Sequence, residues 1–137
     1  MRVPLLVRVP GVRGGTRTEG LTEMIDVYPT LCELAGITPP GGQLEGASFA
    51  ARLHDPALPG KIETIGRFQG GDTIRTERFR FTEYTEPNGG FVARMLYDHA
   101  QDPGENRNVA EDPAYAMVVA ELAHRLKRGM GRDTPGR

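Results

Sequence analysis

Residues 3 to 9 read VPLLVRV, and the central PLLV shows no alternation of apolar and polar side chains. Near-continuous apolar character marks a strand covered on both faces, as in a parallel sheet flanked by helices. No other segment constrains the fold as strongly, because such a strand needs neighbours on both sides and helices above and below. Its place beside Met1 predicts a chain that enters a fold midway.

The chain of 137 residues is a soft prior for one domain, with a core possible at that length. Hydrophobic residues make up 38% and the mean hydropathy is -0.42, values of a water-soluble chain, while Gly 18 and Pro 11 imply many turns and short elements. A net charge of -1 gives no long-range attraction to nucleic acid or an anionic membrane, so neither is expected as a partner. No apolar run approaches the ~18 to 20 residues that span a bilayer. Pro4 and Pro10 interrupt the only N-terminal apolar stretch, which is no signal peptide and leaves the compartment open. The single cysteine, Cys32, excludes an internal disulfide and every multi-cysteine zinc pattern.

Residues 11 to 21, GVRGGTRTEGL, form a glycine-rich surface turn without the lysine and following helix of a phosphate loop. A helix is predicted over 23 to 35, capped by Thr22, broken after one turn and restarting near Pro29, with Gly36 as its stop. A short helix follows over 48 to 54, started by Ser48. Antiparallel strands are predicted at about 62–68, 73–76, 78–84 and 93–98, with turns at Gly70-Gly71 and at Asn88-Gly89-Gly90. In the third strand Phe79, Phe81 and Glu83 share one face. A helix at about 113–128 places Val118, Leu122 and Leu126 on one side, and 129–137 read as a frayed tail. The class is α/β: residues 1–60 as the end of a large α/β domain, and 61–128 as a small antiparallel sheet packed on a C-terminal helix.

RVPLLVRVPG, DVYPTLCELAGI, LEGASF, IRTERFRFTEY and LYDHAQDPGENRNVA occur in that order. This series resembles the C-terminal third of a sulfatase of the alkaline-phosphatase superfamily, and is most similar to the iduronate-2-sulfatase and choline-sulfatase-like group. The resemblance implies sulfuric ester hydrolysis by the full-length enzyme, with formylglycine made from a cysteine in C-x-P-S-R and a divalent cation such as calcium. None of those positions is here: Cys32 sits in TLCELAG, and the sequence has no Asp-Asp pair, D-H-G or D-N-G. Catalytic, cofactor and metal residues are therefore expected in none of these positions, and the chain alone is expected to be inactive. Its implied partners are a preceding sulfatase core and, in the full-length enzyme, a sulfate ester. Without that core, Leu5, Leu6 and Val7 would promote self-association.

Individual residues have plainer readings. Asp26 either caps the helix or pairs with an arginine, and Cys32 is packing. Asp102, Glu105 and Asn106 or Asn108 close a turn. Arg75, Arg78 and Arg80 either pair with carboxylates or form an anion patch. Arg67, Gln69, Gly70 and Asp72 are the candidates for a loop that walls a substrate cleft. Phosphodiesterases and phosphoglycerol transferases of the superfamily share the sheet and the D-x-x-P-T-L helix. They remain an alternative, as does a non-catalytic module.

Overall fold

A computed structural model describes residues 3–39, 42 and 44–131. Residues 132–137, most of the expected frayed tail, lie outside the described residues. The chain divides into two compact units after Lys61.

In the first unit a 3-10 turn, Met24–Asp26, leads into helix α1, Val27–Leu34. The restart thus falls two residues ahead of Pro29, which occupies the third helical position. There the missing N–H costs nothing, since the first-turn amides have no intrahelical acceptor. Gly36 ends the helix with φ +66°, and Ile37 N–H reaches back to the Cys32 carbonyl at 2.9 Å. Thr22 is not the cap. Asp26 accepts the Glu23 amide at 2.9 Å, which makes Glu23 the first capped position, while the Thr22 hydroxyl accepts from Arg52 at 2.6 Å. Helix α2, Ala50–His54, follows, and Ser48 accepts the Ala50 amide at 3.1 Å. Leu21 and Lys61 form an isolated antiparallel bridge.

Residues 3 to 9 depart from expectation. They belong to no β ladder, and Leu6 is 91% exposed, with Val3, Leu5 and Val7 also exposed. A strand is a property of a pair, and no described segment lies alongside to exchange hydrogen bonds with this one.

The second unit holds a four-stranded antiparallel sheet in the order β1-β2-β3-β4: Glu63–Phe68, Gly71–Thr76, Phe79–Thr85 and Phe91–Asp98. Ile65, Ile74, Phe81 and Leu96 align across it on one face. A second 3-10 turn, Pro113–Tyr115, starts helix α3, Ala116–Gly129, which lays Val119, Leu122 and Leu126 on that row. Val119, not Val118, is the buried valine of this row; Val118 is partly buried and packs against the cluster. Ile74, Phe81 and Leu96 are completely buried, each contributing roughly 1.5–3 kcal/mol of transfer free energy. The first turn is Gln69-Gly70, not Gly70-Gly71: φ +48° and +77° give the type I′ geometry that matches strand twist. Gly71 opens β2 beneath the Tyr84 ring. The expected helix, four strands and terminal helix are thus all found.

Candidate functional site

The loop Arg67–Asp72 is a tight hairpin tip. Arg67 and Asp72 face one another across β1 and β2 and form a bidentate pair, Nε to Oδ1 at 2.6 Å and Nη2 to Oδ2 at 3.1 Å. Asp72 is buried and Arg67 half exposed. The pair fixes the register of the turn, and Gln69 and Phe68 project at its end, Phe68 62% exposed. Four sequence candidates are therefore brought together, but the guanidinium is already neutralised. The tip offers an amide and an aromatic ring, and no acid, base or nucleophile.

A polar centre in the first unit explains the D-x-x-P-T pattern. Asp26, 1% exposed, accepts amides from Glu23 at 2.9 Å and Ala47 at 2.8 Å and pairs with Lys61 at 2.7 Å. The partner is thus a lysine and not an arginine. Thr30 donates to the Asp26 carbonyl at 2.6 Å and accepts the Phe49 amide at 3.0 Å. These two side chains tie the 46–49 loop to α1. Gly46 permits the approach, because a Cβ there would sit 2.0 Å from the Ile25 carbonyl oxygen. Burial pushes the Asp26 carboxyl upward, but the bonds from Lys61, Glu23 and Ala47 outweigh it and hold it below its ordinary value. A cavity of about 200 Å³ beside this centre is lined by Asp26, Ser48, Arg52 and Lys61 among others. Arg52 is 8% exposed, stacks 5.6 Å from the Phe49 ring, and leaves Nη1 without a partner among the described residues.

Cys32 is a buried free thiol on α1, and hydrogen bonding with it pushes the Tyr28 phenol above its usual value. It has no imidazole beside it in the sequence and reads as packing, at a helix position between Leu31 and Leu34.

In the second unit Arg78 grips buried Asp98 in a bidentate pair at 2.9 and 2.7 Å, and Tyr115 donates to the same carboxylate at 3.2 Å. The Arg78 guanidinium is the chief reason that Asp98 titrates below its ordinary value; burial opposes it. Asp102 accepts from Asn106 and from the Arg107 amide, both at 2.8 Å, and is also held low, chiefly by the latter. Asn108 plugs the edge of β4, accepting the Leu96 amide at 2.9 Å and donating to the Arg94 carbonyl at 3.1 Å. Arg80 pairs with Glu105 at 2.6 Å, and Arg75 hydrogen-bonds with His99. Arg75 and Arg80 lie opposite each other in adjacent strands. That cross-strand placement was the available signal for a Glu105–His99 counterpart, since two arginines side by side require an anion nearby.

Among the described residues, no three His, Cys, Asp or Glu side chains converge to hold a metal ion. The cavity of about 310 Å³ lined by Asp98, Asp102 and Asp112 does not fit a divalent cation either, because the first two carboxylates are spent on Arg78, Tyr115, Asn106 and the Arg107 amide.

No family model matches the chain. It is 33% identical over 131 residues to the Delta 4,5-hexuronate-2-O-sulfatase of Bacteroides thetaiotaomicron, covering 87% of this chain and 26% of that protein. A solved 2-O GAG sulfatase superposes with a TM-score of 0.61 at 32% identity, over 78% of this chain and 24% of that one. The phosphonate monoester hydrolase of Agrobacterium radiobacter gives 0.64 at 26% identity, over 84% and 26%. The chain is related to the sulfatases of the alkaline-phosphatase superfamily and spans about a quarter of the length of these relatives.

Proposed function

We propose that this chain is the C-terminal portion of a sulfuric ester hydrolase of the iduronate-2-sulfatase and choline-sulfatase-like group, and that its own residues supply scaffold and not the reacting groups. The observation that carries this reading is an uncovered apolar surface. Val3, Leu5, Leu6 and Val7 are exposed along one extended segment, and Met24, Tyr28 and Leu31 are exposed at helical spacing around α1, between 41% and 91% in every case. A water-exposed run of this kind marks a surface built to be covered. The partner that fits it is the remainder of a sulfatase core, in which residues 3–9 are an interior strand and α1 packs over the sheet.

In that enzyme, a formylglycine and a divalent cation such as calcium supply the nucleophile and the charge stabilisation, held by residues outside this sequence. The donor set here offers neither. The Gln69 hairpin is the part of this chain that walls the substrate cleft, with Phe68 and Gln69 as the contacting side chains. Sugar 2-O-sulfates are the preferred substrate class, on the strength of the Bacteroides relative's stated activity. A second reading stays inside the superfamily: the likeness to a phosphonate monoester hydrolase favours a phosphoryl-ester enzyme with the same scaffold.

The purified 137-residue chain is expected to release no 4-nitrophenol from 4-nitrophenyl sulfate above the buffer rate with calcium present, and to sediment as an oligomer. Turnover by a monomer that unfolds cooperatively would overturn the proposal. The coding sequence upstream of Met1 separates the two chemistries. An in-frame C-x-P-S-R, followed by D-[HN]-G and a lysine, supports the sulfatase; a serine or threonine nucleophile supports the phosphoryl enzyme.

A further inference from the structure

We infer that His99 is a pH-sensitive latch that fastens the turn after β4 to the middle of the sheet, closed when the imidazole is neutral and opened by its protonation. The latch is independent of the reaction assigned above. Its geometry follows from what each partner can do. An arginine has five N–H donors and no acceptor. Arg75 Nη1 is bonded to Nδ1 of His99, so Nδ1 must supply a lone pair. Nε2 then carries the hydrogen and donates to Glu105 Oε1 at 2.6 Å. The same carboxylate takes Arg80 through Oε2 at 2.6 Å. The ring is 9% exposed at the side chain, and its backbone N–H donates to the Arg78 carbonyl at 2.8 Å.

Charged neighbours among the described residues enter the balance. From β2 comes Arg75, from β3 Arg80, and from the turn Glu105. Asp98, one residue back, is neutralised by Arg78. Adding a proton to His99 strengthens its bond to Glu105, which becomes charge-assisted. It also places an N–H opposite the N–H of Arg75, and a third cation between Arg75 and Arg80. The Arg75 contact is therefore the one that fails. Of the side chains in this cluster, the histidine is the type whose charge ordinarily changes nearest to neutrality.

The turn gains and loses a fastening as a result. His99 links β2 to residues 99–106, where Glu105 sits at φ +57°, a backbone conformation held by its surroundings. Opening removes the link to β2 and leaves the turn tied by Arg80 and by the Asp102 bonds.

Two measurements on the full chain test the latch. The chain has three histidines, His54, His99 and His124, so labelled imidazole spectra are simple to assign. At pH 8 the His99 ring is expected as the Nε2–H tautomer. Arg75→Met is expected to raise its titration midpoint by on the order of one pH unit, and Glu105→Gln to lower it by a similar amount. The Nδ1–H tautomer at pH 8, or a midpoint unmoved by Arg75→Met, would overturn the latch. Hydrogen exchange, corrected for intrinsic rates, reads the same device without resolved spectra. Protection of residues 99–106 is expected to fall several-fold between pH 8 and 5, and to stay constant in His99→Gln. Equal losses in both proteins would overturn it.

Discussion

The two units reach order by different means. Residues 62 to 131 gather Ile74, Phe81, Leu96, Ala110, Val119, Leu122 and Leu126 into one buried cluster, with polar pairs around the rim. Residues 3 to 61 turn that arrangement over. Their most buried side chains include Asp26, Thr30 and Arg52 beside Cys32, Phe49 and Ala50, and many of their large apolar side chains, Leu6 and Met24 among them, face outward. Hydrogen bonds specify geometry but contribute only about 1 kcal/mol each to net stability, whereas a buried apolar cluster supplies most of the driving force of a small domain. The second unit therefore has what an independent fold needs. The first is held by a polar pin and exposes much of its apolar surface.

The largest effect expected from this contrast lies in the centre of the sheet. Phe81→Ala should cost about 3–5 kcal/mol of unfolding free energy, because the ring is completely buried between Ile74, Leu96 and α3. Denaturant titration followed by circular dichroism measures it. Loss of the strand signal with retention of the exchange protection around Asp26 would show the units to be energetically separate. Simultaneous loss would tie them together.

Acid should act on both units. The folded-state titrations of Asp26, Asp98 and Asp102 are all depressed. A depressed carboxyl contributes its full stability above the unfolded value of about 3.9, and that contribution disappears as pH falls through the lower folded value. Stability should therefore hold down to about pH 4 and decline below it. Asp98→Asn should remove much of the second unit's share of that decline and cost about 2–3 kcal/mol at neutral pH, because it leaves Arg78 and Tyr115 without a charged acceptor. An unchanged acid profile in Asp98→Asn would place the sensitivity in Asp26 or Asp102 instead.

How much of this was legible depends on how far apart the cooperating residues lie. The stop at Gly36, the Asn88-Gly89-Gly90 hairpin and the spacing of Leu122 and Leu126 are local signals, and each was readable from its own neighbourhood. Lys61 as the partner of Asp26 was not, because the chain runs through α1 and α2 before bringing them together. The Thr22 cap failed for a similar reason: Arg52, distant in sequence, competes for its hydroxyl. Residues 3 to 9 carry a strand's composition, but a ladder requires a second strand, and composition cannot provide one. Of the hairpin candidates, Arg67 and Asp72 lie in β1 and β2, on either side of the two-residue turn. Their pairing was legible only once the turn was placed at Gln69-Gly70, which sets them opposite each other.

Leu6→Lys should leave unfolding free energy within about 0.5 kcal/mol, since a residue 91% exposed contributes little to this chain's own folding. It should nonetheless lower the sedimenting mass, because the charge falls in the middle of the uncovered apolar run. A chain already monomeric before the substitution would remove the distinction between the units' surfaces.

A similarly small effect is expected at the hairpin tip, and it sharpens the contrast most cleanly. Gln69 holds φ +48° in a two-residue turn that favours Asn followed by Gly, and Gly70 already satisfies the second position. Gln69→Asn keeps an amide side chain while relieving the left-handed backbone cost, which is about 1–2 kcal/mol for an ordinary residue and smaller for asparagine. A gain of about 0.5 kcal/mol should follow, with a rise in melting temperature of about 2–4 °C for a unit of this size. Because the substitution touches only β1 and β2, exchange protection should increase across the sheet and stay constant at Thr30 and Cys32. Equal stability in the two proteins would show that the left-handed backbone at Gln69 carries no cost that asparagine relieves.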